Sequence, residues 1–295
     1  MILNRKLYRF NSLLTVVLIV LGSFISASLA DYLALIFIFT AGLIHGANDI
    51  SLLQKKYQNT RFKFFISLLF LYILIVILGA VLFFYIPSGA LMFFILFSGF
   101  HFGQQHWSSY FNRKNKDSLF KQLGFTVYGL LIFSLLFSLQ LSDVNSVIKD
   151  ITGFEFSTEF YYYCTLLLTL SFCILSFFLP ISLKVFFKEV LSLLLLSALF
   201  WSTSLLFSFA VYFVFWHSVS SIQDQLIYLD GEVTLKTVLG YIKSSLVYWV
   251  LSLIGLFLFY FYMDIQSEYF IPLFFTFLAA ITFPHTVVIG MLKSE

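Results

Sequence analysis

Five histidines, His45, His101, His106, His217 and His285, are spread along the chain, and each falls in a stretch apolar enough to lie inside a bilayer. The densest polar group is His101-Phe102-Gly103-Gln104-Gln105-His106-Trp107, which directly follows LMFFILFSGF. Polar side chains at membrane depth are costly, and a functional role is their default reading. Imidazole nitrogens suit Fe, Zn and Cu. A histidine set without thiolates and with few carboxylates points to a redox or Lewis-acid metal and away from calcium or magnesium.

The residues around the histidines fit that chemistry. Asn48 and Asp49 follow His45, with Asp49 one helical turn on. Gln104 and Gln105 lie between the two histidines of one segment, and Gln223 and Asp224 follow His217 by about two turns. Metal-bound histidines donate their other N–H to such groups. Gly42, Gly46, Gly99 and Gly103 permit close helix approach or leave room for a bulky ligand. Phe100, Phe102, Trp107 and Trp216 are the aromatics placed to touch a substrate. Pro284, just before His285, kinks its helix and frees backbone groups near a site, or simply serves packing. Taken singly, an intramembrane histidine is as readily a helix–helix hydrogen-bond partner. Asp49 and Asp224 are equally readable as interfacial charges facing water. Five histidines at one depth, with none elsewhere, favour the metal.

These side chains need elements to position them. The 295-residue chain is 61% hydrophobic and 11% charged, with a mean hydropathy of +0.98, whereas a soluble domain is about 25% charged. The expectation is an all-α, polytopic transmembrane bundle of about ten spans, each near the roughly 20 residues a bilayer needs. The spans are placed at 12–30, 32–53, 64–86, 90–111, 119–140, 160–180, 185–202, 204–227, 244–263 and 269–292. The longest hydrophilic joints, 142–159 and 228–243, are too short to fold alone. Residues 1–295 therefore read as a single integral membrane domain, with 1–10 as an N-terminal segment able to move. The first apolar run reads as a retained span, not a signal peptide. Cys164 and Cys173 lie too far apart along one straight helix to be bridged.

The net charge of +3 is small, and the positive residues cluster in the joints, a pattern of topology signals and not of a nucleic-acid surface. Arg5, Lys6 and Arg9, then Lys55, Lys56, Arg61 and Lys63, then Arg113, Lys114, Lys116 and Lys121, then Lys184 and Lys188, then Lys236 and Lys243, and finally Lys293 occupy every second joint. The alternate joints carry Lys149 as their one positive residue. The positive-inside rule then puts both termini in the cytoplasm of a multi-pass inner (plasma) membrane protein. In that topology every histidine-bearing span runs inward. The histidines fall about 11 to 16 residues from the outer ends, a band roughly 8 Å thick. A helical bundle builds metal sites from facing side chains in this way.

His45-Gly46-Ala47-Asn48-Asp49, His101-Phe102-Gly103, Trp216-His217-Ser218 and Pro284-His285 occur in this order on separate spans. The ordered set resembles the bacteriorhodopsin-related-protein (Brp/Blh) family, the membrane β-carotene 15,15′-dioxygenases of bacteria and archaea, from the second span to the tenth. The resemblance implies an iron(II) enzyme, with Fe2+ as cofactor. It would cleave the central double bond of β-carotene with O2 to give two all-trans-retinal, for use by a rhodopsin. It also implies that His45, His101 and His217 bind the iron. Where many members carry a further histidine one turn after the Trp-His-Ser histidine, this chain has Ser221. His285, on its own helix, is the preferred fourth ligand. His106 lies about 140° round the helix from His101, which makes it a fifth or substitute ligand, or a support for the others.

Other readings fit parts of the pattern. A transporter or proton relay would use intramembrane histidines, but needs polar faces on several helices. A bis-histidine haem protein shares the donor type, and a structural membrane protein would use the histidines in packing. A histidine-box desaturase needs His-x-x-x-His or His-x-x-His-His pairs, which the sequence lacks. It also lacks Gly-x-Gly-x-x-Gly, a P-loop and a Ser-His-Asp arrangement.

Overall fold

In the computed structural model, which describes residues 5–59, 61–107, 110–111, 119–262 and 270–293, the elements are helical and no strand occurs among the described residues. In chain order the helices are α1 (Arg5–Phe24), α2 (Ala27–Phe37), α3 (Asp49–Lys56), α4 (Phe62–Tyr85), α5 (Pro87–Trp107), α6 (Leu119–Leu139) and α7 (Leu141–Thr152). They continue as α8 (Thr158–Phe178), α9 (Leu183–Ser202), α10 (Leu205–Val211), α11 (Val219–Asp230), α12 (Leu235–Tyr262) and α13 (Phe270–Lys293). Two π-helical turns interrupt the series, Ile38–Gly42 after α2 and Tyr212–Ser218 between α10 and α11.

Seven stretches among the described residues are long and apolar enough to cross a membrane, and they mark the chain as a membrane protein. They lie in α1, α4, α6, α8, the run Leu205–Asp230, α12 and α13. The other three expected spans differ for physical reasons. The stretch 32–53 is no continuous rod: α2 widens into its π turn, and a non-helical turn at 45–48 precedes α3. α5, described to Trp107, carries the polar group from His101 to His106 in its last two turns, which lowers its apolar character. α9 carries Lys184, Lys188 and Glu189 within an otherwise apolar sequence. Arg113, Lys114 and Lys116, and the joint from Asp264 to Glu268, lie outside the described residues.

Local chemistry sets the breaks. The first falls at Ser26 instead of Asp31, because the Ser26 hydroxyl accepts the Leu29 N–H and caps α2. Asp31 stays inside α2 and accepts the Ser204 hydroxyl at 2.5 Å, while Ser204 caps α10. Pro87 opens α5 at a position where its missing N–H leaves no bond unmade. Gly231, at φ 82°, adopts the left-handed conformation that terminates α11. The joint 142–159 is largely helix α7, and residues 5–10 already belong to α1.

The chain divides into two compact units. The first comprises Met1–Ile38, Ser98–Ser146 and Phe154–Ser220; the second comprises Phe39–Phe97, Val147–Gly153 and Ser221–Glu295. In the first, α1 lies along α9, α6 packs on α8 and α9, and α10 is buried against α2, α6 and α9. In the second, α13 packs on α4, α3 and α12. Many large apolar side chains point outward, Phe24, Phe70, Phe84, Phe177 and Trp201 among them. Lipid chains, as apolar as the side chains themselves, are the medium for such a surface.

Within the first unit, α5 and α6 meet backbone to backbone. A Cβ on Gly103 would overlap the carbonyl oxygen of Phe125, and one on Gly129 would overlap that of Gly99. Gly103→Ala should therefore destabilise the chain by about 1–3 kcal/mol, the usual cost of overpacking. Gly240→Ala should not, since nothing lies within 4 Å of the added methyl. Thermal unfolding in detergent checks this, and equal midpoints for the two variants would refute the close contact.

Candidate metal centre

Each unit holds a pair of buried imidazoles. In the second unit the π turn Ile38–Gly42 delivers the chain to His45. The Nδ1 of His45 faces the carbonyl oxygen of Gly42. That carbonyl can only accept, so Nδ1 carries the proton and Nε2 the lone pair. The backbone carbonyl of His45 is held in turn. Gln225 Nε2 donates to it at 2.8 Å and the Tyr241 hydroxyl at 3.1 Å. Gln225 also donates to Ser221 Oγ at 3.1 Å, and its Oε1 lies 2.8 Å from the Tyr241 hydroxyl.

His285 sits on α13 immediately after Pro284. Its Nδ1 lies 2.9 and 3.1 Å from the two oxygens of Asp49. Asp49 is the first residue of α3, at the positive end of that helix dipole, and also accepts the Tyr72 hydroxyl at 3.0 Å. A carboxylate on Nδ1 again leaves Nε2 as the nitrogen with a lone pair. This is the carboxylate–histidine arrangement common behind metal ligands. The rings of His45 and His285 meet edge to face, 4.7 Å between centroids. Asp49 therefore serves His285, a partner 236 residues away, whereas the sequence spacing alone ties it to His45.

The first unit holds the second pair. His101 on α5 and His217 in the π turn Tyr212–Ser218 are 1% and 2% exposed, their centroids 4.8 Å apart. The Phe102 ring lies 4.4 Å from the His217 ring between centroids, and Phe213 stacks on the same imidazole at 5.9 Å, 16° from coplanar. Ser218 ties the turn by donating to Phe213 O at 2.8 Å, a bond five residues back. Trp216 is anchored from outside the turn: its Nε1 donates to Thr15 Oγ1 at 3.0 Å.

His106 is engaged differently. Its Nε2 lies 2.8 Å from Glu189 Oε2. Glu189 is fully buried on α9 and also accepts the hydroxyls of Tyr128, at 2.7 Å, and Tyr110, at 2.8 Å. Lys188 Nζ lies 3.9 Å from the same carboxylate. Nε2 of His106 is thus occupied by an anion, which leaves Nδ1 as the nitrogen with a lone pair.

The remaining expected residues take several places. Asn48 ties the turn to α12, donating to Tyr241 O at 3.0 Å and accepting from Ser244 at 2.6 Å. Gln105 is buried and lines a small cavity with His106, Trp216, Tyr8 and Asn11. Gln104, Gln223 and Asp224 are half-buried. Phe100 packs on Phe125, and Trp107 sits among Tyr128, Phe172 and Tyr110. Glu189, Tyr72, Gln225 and Tyr241 have no place in the sequence reading. For Glu189 a signal existed: it is the one acidic residue in the apolar run 183–202.

The donor set fits a transition metal. Among the described residues, His45, His217 and His285 are buried and each offers one ring nitrogen able to ligate an ion. Two of them have their other nitrogen satisfied by protein acceptors. Comparison with known proteins agrees with this chemistry. A family model described as Beta-carotene 15,15'-dioxygenase matches residues 36–293, a stretch that includes all five histidines. No curated protein and no solved structure matches the chain. Asp49→Asn should weaken Fe2+ or Zn2+ binding about 10- to 100-fold, the usual effect of losing a ligand's hydrogen-bond partner. Calorimetric titration of the full chain in detergent checks it, and an unchanged affinity removes Asp49 from the support of a metal.

Proposed function

The chain belongs to the beta-carotene 15,15'-dioxygenase family, and on that footing we propose that it cleaves the central double bond of β-carotene with O2 to give two all-trans-retinal. The observation that carries the proposal is the state of the buried imidazoles. His285 and His45 are fixed through Nδ1 by the carboxylate of Asp49 and the carbonyl of Gly42, the tautomer a metal ligand needs. In this reading His45, His101, His217 and His285 hold Fe2+. His106, bound to Glu189 through Nε2, supports them without ligating.

Bound iron(II) would supply the redox chemistry by which O2 reacts with a closed-shell hydrocarbon. The protein's own residues have three tasks. Asp49, Gln225 and Tyr241 keep the side chain of His285 and the backbone of His45 in one orientation. β-Carotene has no polar handle, so shape must orient it. Phe102 and Phe213 against the ring of His217 are the apolar surface nearest a proposed ligand, and Phe100, Trp107 and Trp216 extend the aromatic lining of this reading. Burial of the imidazoles keeps bulk water away from the reacting carbons. The substrate arrives from the lipid. The whole chain, 1–295, acts as one integral domain of the plasma membrane, crossing it about ten times with both termini cytoplasmic. The retinal product suits a rhodopsin-type acceptor.

Expression in bacteria engineered to accumulate β-carotene tests the activity. Chromatography of the extract should show β-carotene consumed and retinal formed. His285→Ala should abolish retinal, while His106→Ala should retain a measurable fraction. If β-carotene persists with the wild-type chain inserted in the membrane, the dioxygenase assignment fails.

A further inference from the structure

One buried network in the first unit, centred on Glu189, holds no ligand position in the chemistry above. It begins at Glu189 on α9, which binds His106 on α5 at 2.8 Å. The His106 ring stacks on Trp216, 8° from coplanar with centroids 6.0 Å apart. Trp216 is the residue before His217. A second arm reaches the same indole. Lys188, next to Glu189, lies over the Tyr8 ring at 3.8 Å and donates to the Tyr110 hydroxyl at 2.7 Å. Tyr8 meets Trp216 edge-on at 5.8 Å and bonds Ser192 on α9 at 3.0 Å. Asn11, one turn further along α1, donates to the carbonyl of Phe215 at 2.7 Å.

Both arms start on α9 and close on the π turn that carries His217. A π turn has wider hydrogen-bond spacing than an α-helix and is normally seen as a single turn, so outside contacts must hold it in register. The cleavage reaction offers the network no other task. It adds both atoms of O2 across one carbon–carbon double bond and takes up no net proton, so a buried acid–imidazole pair is not needed to deliver one. We infer that Glu189 is a positioning residue for His217: through His106 it clamps Trp216, and with it the π turn that presents the His217 imidazole. The inference rests on the reading of His217 as a metal ligand.

Cobalt(II) is a suitable probe, because its visible d–d bands report the geometry of its ligands. The full chain in detergent, stripped of metal, is titrated anaerobically with Co2+ as wild type, Glu189→Gln, His106→Gln and the double variant. Glu189→Gln should weaken Co2+ binding about 10-fold or more and shift the bands. His106→Gln should do the same, and the double variant should be no weaker than the weaker single, since both act through one contact chain. Glu189→Asp, which keeps the charge but draws it back by one methylene, should lie between and covers the case in which Glu189→Gln does not fold. Wild-type affinity and bands in Glu189→Gln, or additive losses in the double variant, overturn the inference, as does a wild-type chain that takes up no Co2+. A chain that shows the expected pattern yet yields no retinal sinks the dioxygenase assignment alone.

Discussion

An imidazole buried in an apolar interior has two nitrogens, and whatever takes one decides what the other can do. The structure uses this rule twice with the same chemical pair. Asp49 takes Nδ1 of His285, and Glu189 takes Nε2 of His106. The first leaves the lone pair on Nε2, at the outer edge of the ring; the second occupies Nε2 and leaves the lone pair on Nδ1, nearer the backbone. Each carboxylate is itself buried, a cost that would be prohibitive without donors. Tyr72 answers it for Asp49, and Tyr110 and Tyr128 for Glu189. The tyrosines that these helices place at depth thus follow from the carboxylates, and the carboxylates from the histidines.

The backbone bends to the same requirement. Neither His45 nor His217 stands on regular α-helix. His217 lies within a π turn, and His45 follows one at the start of a non-helical turn. An added residue per turn rotates everything beyond it, so a side chain can face inward from a helix whose α-helical register would aim it elsewhere. Once the ladder is loosened, carbonyls become available to side chains. Gly42 gives its carbonyl to His45, and Phe213 gives its own to Ser218.

The helical class and most of the helices were legible in the sequence, because twenty-residue apolar runs leave few alternatives in lipid. The histidines stood out for the same reason. What supports them did not. Asp49 was assigned by spacing to His45, four residues back, whereas its partner is His285, and no pattern of 3.6 or 2 encodes a contact across 236 residues. Gln225 holds the His45 carbonyl, whereas the sequence pointed to Gln223 and Asp224, because spacing from His217 does not give the phase of α11 relative to His45. Glu189 was hidden beside Lys188, in a segment whose charges read as topology signals. The small residues fared better: Gly99 and Gly103 were marked for close approach, and Gly103 and Gly129 bring α5 and α6 into backbone contact.

The second unit also carries a consequence for the order in which the protein is made. Lys55 and Lys56, at the end of α3, donate to the carbonyls of Leu229 and Met291, 174 and 235 residues further along. Asp49, about two turns earlier in the same helix, waits for His285 over a similar distance. During synthesis α3 therefore emerges with an anion and two cations whose partners do not yet exist. Until α11 and α13 are inserted these charges belong in the hydrated headgroup layer. α3 then acts as a late-closing element: α11 supplies the carbonyl for Lys55, and α13 supplies the one for Lys56 together with the imidazole for Asp49. Closure of the His45–His285 pair thus waits on the insertion of α13.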